Sequence, residues 1–184
     1  MTDIWALQAL SGQPTQLNQG RPVVWVGGAM DHYTQLLKRH CGKSQHYFQW
    51  YQQRELADWL QAQPQQALLI GHSYGACTAA TVVASGIAVA ELVTIDPVSW
   101  RKPQGSEVRR YAGLWRNYLA GDQQWNWANI VARAGGQWQH WPAKHAHQHQ
   151  VLAADHATVV AAVLQVWRPQ PVSVLAQDSD PAAF

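Results

Sequence analysis

One segment constrains the fold more than any other: residues 67–84, ALLIGHSYGACTAATVVA. It reads as an apolar strand, a sharp turn bracketed by Gly71 and Gly75, and a helix of small residues ending near Gly86. A strand that turns straight into a helix brings two stretches of backbone close together. Glycines flank the turn because a β-carbon there would meet the neighbouring chain. The central residue, Ser73, is pushed into a strained conformation that lifts its hydroxyl clear of the strand. The helix that begins at once aims unpaired N–H groups and a positive dipole end at the same point.

The rest of the chain repeats this rhythm. Val23-Val24-Trp25-Val26 before Gly27-Gly28 reads as a buried strand, followed by a helix over about 31–40. Residues 46–51 read as an aromatic-rich strand and 54–62 as a helix closed by Pro64. ELVTIDPV is a further apolar strand, stopping at Asp96-Pro97. A strand is expected within 108–118, a helix near 125–134 and a strand around 137–141. A last helix over about 157–167 ends before Pro169. Strands alternating with helices imply an α/β fold: a mostly parallel sheet of about six strands with helices on both faces.

At 184 residues with no internal repeat, the chain is expected to form one domain. Its core should span about 22–168, and the polar tail 169–184 should be loosely held. A net charge of +2 without a Lys/Arg run argues against a nucleic-acid partner. No apolar run approaches the ~18 residues of a membrane span. The N-terminus lacks a basic region ahead of an apolar stretch, so no signal peptide is read and a cytoplasmic location is expected. Cys41 and Cys77 alone suggest no disulfide framework. The eleven Trp place some of these rings at a groove mouth or interface as well as in the core.

A serine hydroxyl is a weak nucleophile until a histidine takes its proton and a carboxylate orients that histidine. The Gly-x-Ser-x-Gly turn between a strand and a helix resembles that of the α/β-hydrolase superfamily, a likeness covering roughly residues 22–167. GHSYGA with the Asp of TIDPV 23 positions later is similar to the secreted triglyceride lipases. VVWVGGAMD, GHSYGA and LVTIDPVSW together resemble small bacterial lipase-like hydrolases, some of them associated with type VI secretion. In size the chain is comparable to cutinases and minimal lipases without a lid.

The resemblance implies a compact α/β-hydrolase fold and the chain order serine, acid, histidine. Ser73 is then the nucleophile and Asp96, at the end of its strand, the acid; Asp122 is the fallback. Asp155 is unattractive because side chains of adjacent residues rarely face each other. His156, at the mouth of the last helix, is the base, with His145 and His149 as alternatives. Two backbone N–H groups should form an oxyanion hole: Tyr74, and Ala29 or its neighbour Met30 in the VGGA turn. Gly27 there replaces a histidine often found in the family. The implied reaction is hydrolysis of a small-molecule carboxylic ester of short or medium acyl length through an acyl-enzyme. A thioesterase, an amidase or a non-catalytic binding protein are the competing readings.

His145-x-His147-x-His149 invites a metal reading, but no Cys or nearby acid completes a zinc set, so no metal is expected. Gly27-Gly28 leads into no nucleotide-binding pattern, and no cofactor is expected.

Overall fold

In the computed structural model, which describes residues 20–122 and 124–167, six strands form one sheet in the order β2-β1-β3-β4-β5-β6. The strands are β1 (Val23–Gly27), β2 (His46–Gln49), β3 (Leu68–His72), β4 (Val89–Ile95), β5 (Ala112–Ala120) and β6 (Gln148–Leu152). Every pairing is parallel, with registers such as Trp25 beside Ile70 and Ile70 beside Val93. β1 and β3 are buried along their whole length, which is why both are uninterrupted apolar runs.

Side-chain alternation along these strands feeds two cores. Val24, Val26 and Leu69 point to one face, where they meet Leu56 and Leu60 of α2 (Gln53–Gln61) and Ala79, Ala80 and Val83 of α3 (Tyr74–Ala84). Val108 of α4 (Gly105–Tyr111) and the fully buried Trp115 and Trp138 complete that layer. Val23, Trp25, Leu68 and Ile70 point to the opposite face, against Val159, Val160 and Val163 of α6 (Val159–Val166) and against Leu37. The remaining helices, α1 (Asp31–Thr34) and α5 (Trp127–Ala134), lie after β1 and β5.

Two local expectations are corrected and a third is narrowed. The helix expected over 31–40 is a single turn, α1, followed by Gln35 at φ 51° and a 3-10 turn over Lys38–His40. The carboxylate of Asp31 accepts from Leu37 N–H (2.7 Å) and Lys38 N–H (3.2 Å), so it competes for amides that a longer helix would use. Residues 105–111 are helical, and the strand read within 108–118 starts only at Ala112. The sixth strand is not 137–141 but Gln148–Leu152, within the His-rich segment. Gln137 makes one isolated antiparallel bridge to Val98, and Trp138 buries itself in the core without joining the sheet. The tail 169–184 and the N-terminal segment lie outside the described residues.

Candidate active site

Parallel strands end together, so residues just past β3, β4 and β6 are brought to one rim. Ser73 follows β3 with φ 56° and ψ −128°, the strained turn its sequence implies. A β-carbon on Gly75 would lie 2.1 Å from the Val26 carbonyl oxygen, and one on Gly71 would lie 2.6 Å from Ala76 Cα. Helix α3 thus crosses β1 and β3 at a distance only glycine permits. Its first residue is Tyr74, and Ser73 makes no capping bond with its hydroxyl, which stays available to other partners.

That partner is His156. Its Nε2 lies 3.1 Å from Ser73 Oγ and its Nδ1 lies 2.6 Å from Asp96 Oδ2. A carboxylate accepts only, so Nδ1 carries the ring proton and Nε2 turns its lone pair toward the serine hydroxyl. All three groups are buried, Asp96 completely. The structure therefore joins Ser73, Asp96 and His156 in one hydrogen-bonded line.

Asp96 sits at φ 41°, held by its own N–H donating to Tyr118 O at 2.7 Å. Its carboxylate receives three further bonds: Ala120 N–H to Oδ1 (3.1 Å) and Gln137 Nε2 to Oδ1 (2.8 Å) and Oδ2 (2.9 Å). Asp122, by contrast, accepts from Gln124 N–H in a neighbouring turn. His145 and His149 are elsewhere: His149 Nδ1 pairs with Asn117 Nδ2 at 3.1 Å, and the His145 ring meets Trp141 at a tilt, with centroids 5.0 Å apart. His147 Nδ1 accepts from Trp115 N–H at 2.9 Å.

The backbone of His156 is fixed from both sides. Its N–H donates to Asn129 Oδ1 (3.0 Å), and its carbonyl accepts from Nε2 of His72 (3.1 Å). Asn129 in turn donates to the carbonyls of Asp122 and Gln124. Burial, and then the neighbouring His156, lower the pKa of His72 to about 4, so its imidazole is neutral near pH 7. Asp155 anchors the turn before α6. Burial pushes its pKa up, but bonds from Thr158, Ala157 and Asn126 outweigh burial and hold it low.

His72, Asn129 and Gln137 escaped the sequence reading. His72 occupies a variable place in the Gly-x-Ser-x-Gly turn, and the other two lie in segments read for secondary structure alone. Only contact partners distant in the chain give them a role.

Across from the serine, the chain leaving β1 passes very close. A β-carbon on Gly28 would lie 2.7 Å from Ser73 Cβ, and one on Gly27 would strike the Tyr47 hydroxyl. That hydroxyl donates to Asp31, and burial together with Asp31 keeps it protonated far above the usual tyrosine range. The Gly27 position is therefore filled by a Tyr47–Asp31 pair. Ala29, Met30 and Tyr74 all border a cavity of about 280 Å³ that opens beside Ser73 and His156. Its far wall is Val98 with Trp127, Ala128, Val131 and Ala132 of α5.

A family profile described as the alpha/beta hydrolase family matches residues 31–184. The chain belongs to the alpha/beta hydrolase family. Among solved structures, this alpha/beta hydrolase is similar to the esterase domain of a Rhodothermus marinus protein (16% identity, 84% of this chain and 87% of that one, TM-score 0.51). It is also similar to a provisionally named thioesterase from Silicibacter sp. TM1040 (13% identity, 80% and 74% covered, TM-score 0.48). A third is a probable hydrolytic enzyme from Pseudomonas aeruginosa PAO1 (13% identity, 84% and 87% covered, TM-score 0.46). No curated protein matches the sequence. At these identities the likeness is one of fold.

Among the described residues, no helix is long and apolar enough to cross a membrane. No group of three or more His, Cys, Asp or Glu among them could hold a metal ion.

Proposed function

We propose that this protein is a serine esterase that cleaves a carboxylic ester through an acyl-enzyme on Ser73. The observation that carries this reading is the single line of bonds from Asp96 through His156 to Ser73, buried at the ends of three strands. His156 takes the Ser73 proton as the oxygen attacks the ester carbonyl. Asp96 holds the imidazole tautomer and stabilises the imidazolium that forms. The N–H groups of Tyr74 and Ala29 receive the oxyanion, each contributing ~10²–10³ in turnover. The alcohol leaves with the proton from His156, and water repeats the cycle to release the acid.

The test is fluorophosphonate labelling read by intact mass. A single adduct on the wild type, absent in Ser73→Ala and strongly slowed in His156→Ala, is expected. A wild type that stays unlabelled under conditions where it is folded overturns the proposal in favour of a binding protein. Matched ester, thioester and amide substrates then rank the leaving group, with the ester expected to turn over fastest.

A further inference from the structure

The cavity beside Ser73 has an unusual polar inventory: apart from the indole of Trp127, which is 76% exposed, each polar side chain on its wall already makes a hydrogen bond. Asp31 accepts from two backbone amides and from Tyr47. Thr34 Oγ1 donates to Met30 O, and Tyr74 Oη to Gly135 O. His72 donates to the His156 carbonyl, and both nitrogens of His156 are committed to Asp96 and Ser73. What remains facing the space is mostly hydrocarbon, from Leu36, Val98, Ala128, Val131, Ala132 and the ring of Trp127.

A hydroxyl, ammonium or carboxylate on the bound acyl group would lose water among mostly apolar walls whose polar groups are largely engaged with one another, at a cost felt as lost affinity. An unsubstituted chain loses nothing on entering. The volume, about 280 Å³, lies at the small end for ligand cavities.

We infer that this cavity is the acyl subsite, that it takes short to medium unsubstituted hydrocarbon acyl groups, and that Ala128 and Ala132 of α5 set the length limit. The inference rests on the reading of Ser73 as nucleophile. Ala128 and Ala132 are four residues apart and so share one face of the helix. The helix is held in place by its Asn126 cap, whose Oδ1 accepts from Asn129 N–H (2.9 Å), and by the Asn129 bond to His156 N–H. The wall that measures the chain is thereby tied to the backbone of the proposed base.

The experiment is kcat/KM on p-nitrophenyl esters from acetate to laurate, together with 3-hydroxybutyrate and monosuccinate esters, run beside fluorophosphonate labelling. The wild type is expected to peak at about four to eight carbons. It should prefer butyrate over its hydroxylated or carboxylated analogue by about tenfold or more. In Ala128→Leu the octanoate-to-acetate ratio should fall about tenfold, and in Val131→Ala it should rise. A wild type that labels on Ser73 but accepts the substituted acyl groups as well as butyrate overturns the subsite and leaves the nucleophile standing. An equal fall on all chain lengths in Ala128→Leu overturns the role of α5. Absence of both labelling and hydrolysis overturns the nucleophile and the subsite together. The wild-type panel decides the acyl class even if a variant misfolds.

Discussion

The imidazole of His72 lies over that of His156, with ring centroids 4.8 Å apart, while its Nε2 donates to the His156 carbonyl at 3.1 Å. The residue just before the proposed nucleophile thus holds the residue proposed to deprotonate it. Because a carbonyl only accepts, this contact fixes the His72 tautomer with its proton on Nε2. His72→Phe keeps a ring in the stack but leaves the buried carbonyl unpaired, a loss of about 1–3 kcal/mol. We expect kcat to fall about tenfold with KM little changed, and His72→Gln, which restores a donor, to recover most of it. Equal kinetics in wild type and His72→Phe, with only a lower melting temperature, would reduce the contact to a structural one.

His72 also makes stability depend on pH. Its pKa is about 4 in the folded protein against an ordinary value of 6.5, so between those values the unfolded chain binds the extra proton. Stability therefore rises with pH across that window and is lost as pH falls through it. Urea titrations at pH 4.5 and 7 should show the wild type losing more stability on acidification than His72→Phe. Parallel losses in the two proteins would exclude the effect.

Gln137 donates to both oxygens of Asp96 and reaches the site from a segment with no strand of its own. Removing it leaves the buried carboxylate with fewer donors and freer to turn. Gln137→Ala is expected to lower kcat by about tenfold, well short of the ~10⁴ expected for Asp96→Asn, which imposes the wrong tautomer on His156. Steady-state kinetics of the two variants on one ester give the ranking, and the reverse order would remove Asp96 from its proposed role.

Far from the serine, Glu91 accepts from Arg116 Nε at 2.8 Å and from Trp167 Nε1 at 2.9 Å. Arg116 donates its Nη1 to Gln148 Oε1, while its buried Nη2 has no hydrogen-bond partner among the described residues. Glu91→Gln strands a buried guanidinium and should cost about 3–5 kcal/mol in denaturant unfolding. Replacing both partners together (Glu91→Leu with Arg116→Met) should recover most of that loss. A silent Glu91→Gln would mean that water already reaches the pair.

Gly75 is the strictest glycine of the turn. With its β-carbon 2.1 Å from the Val26 carbonyl, Gly75→Ala must push α3 off β1. We expect that variant to be insoluble or to lose labelling at Ser73. Gly28→Ala, whose β-carbon meets Ser73 itself, should fold and lose labelling selectively, as circular dichroism beside intact mass would show.

Local sequence was enough for the frame. Apolar runs of strand length, such as residues 23–26 and 67–70, can be buried only in a sheet covered on both faces. The bracketing of Ser73 by Gly71 and Gly75 follows from sterics local to one turn. Ser73 and Asp96 stand at the ends of two strands legible in the sequence, and parallel strands end on one rim; His156 was legible only as the start of the last helix, and the structure brings it to that rim after β6. Where the reading failed, the missing information was non-local. Gln148-His149-Gln150 carries no apolar alternation, because an edge strand is half exposed; only pairing of residues such as His149 with Asn117 on β5 makes it a strand. Residues 137–141 are rich in Trp, yet Trp138 is drawn into the core from a segment that never pairs as a strand. The helix expected over 31–40 breaks because a single carboxylate, Asp31, takes amides a helix would have used. The supporting contacts from His72, Asn129 and Gln137 and the apolar wall of α5 belong to the same class. A side chain's partner 27 to 84 residues away is fixed by packing of the finished sheet, and no local pattern encodes it.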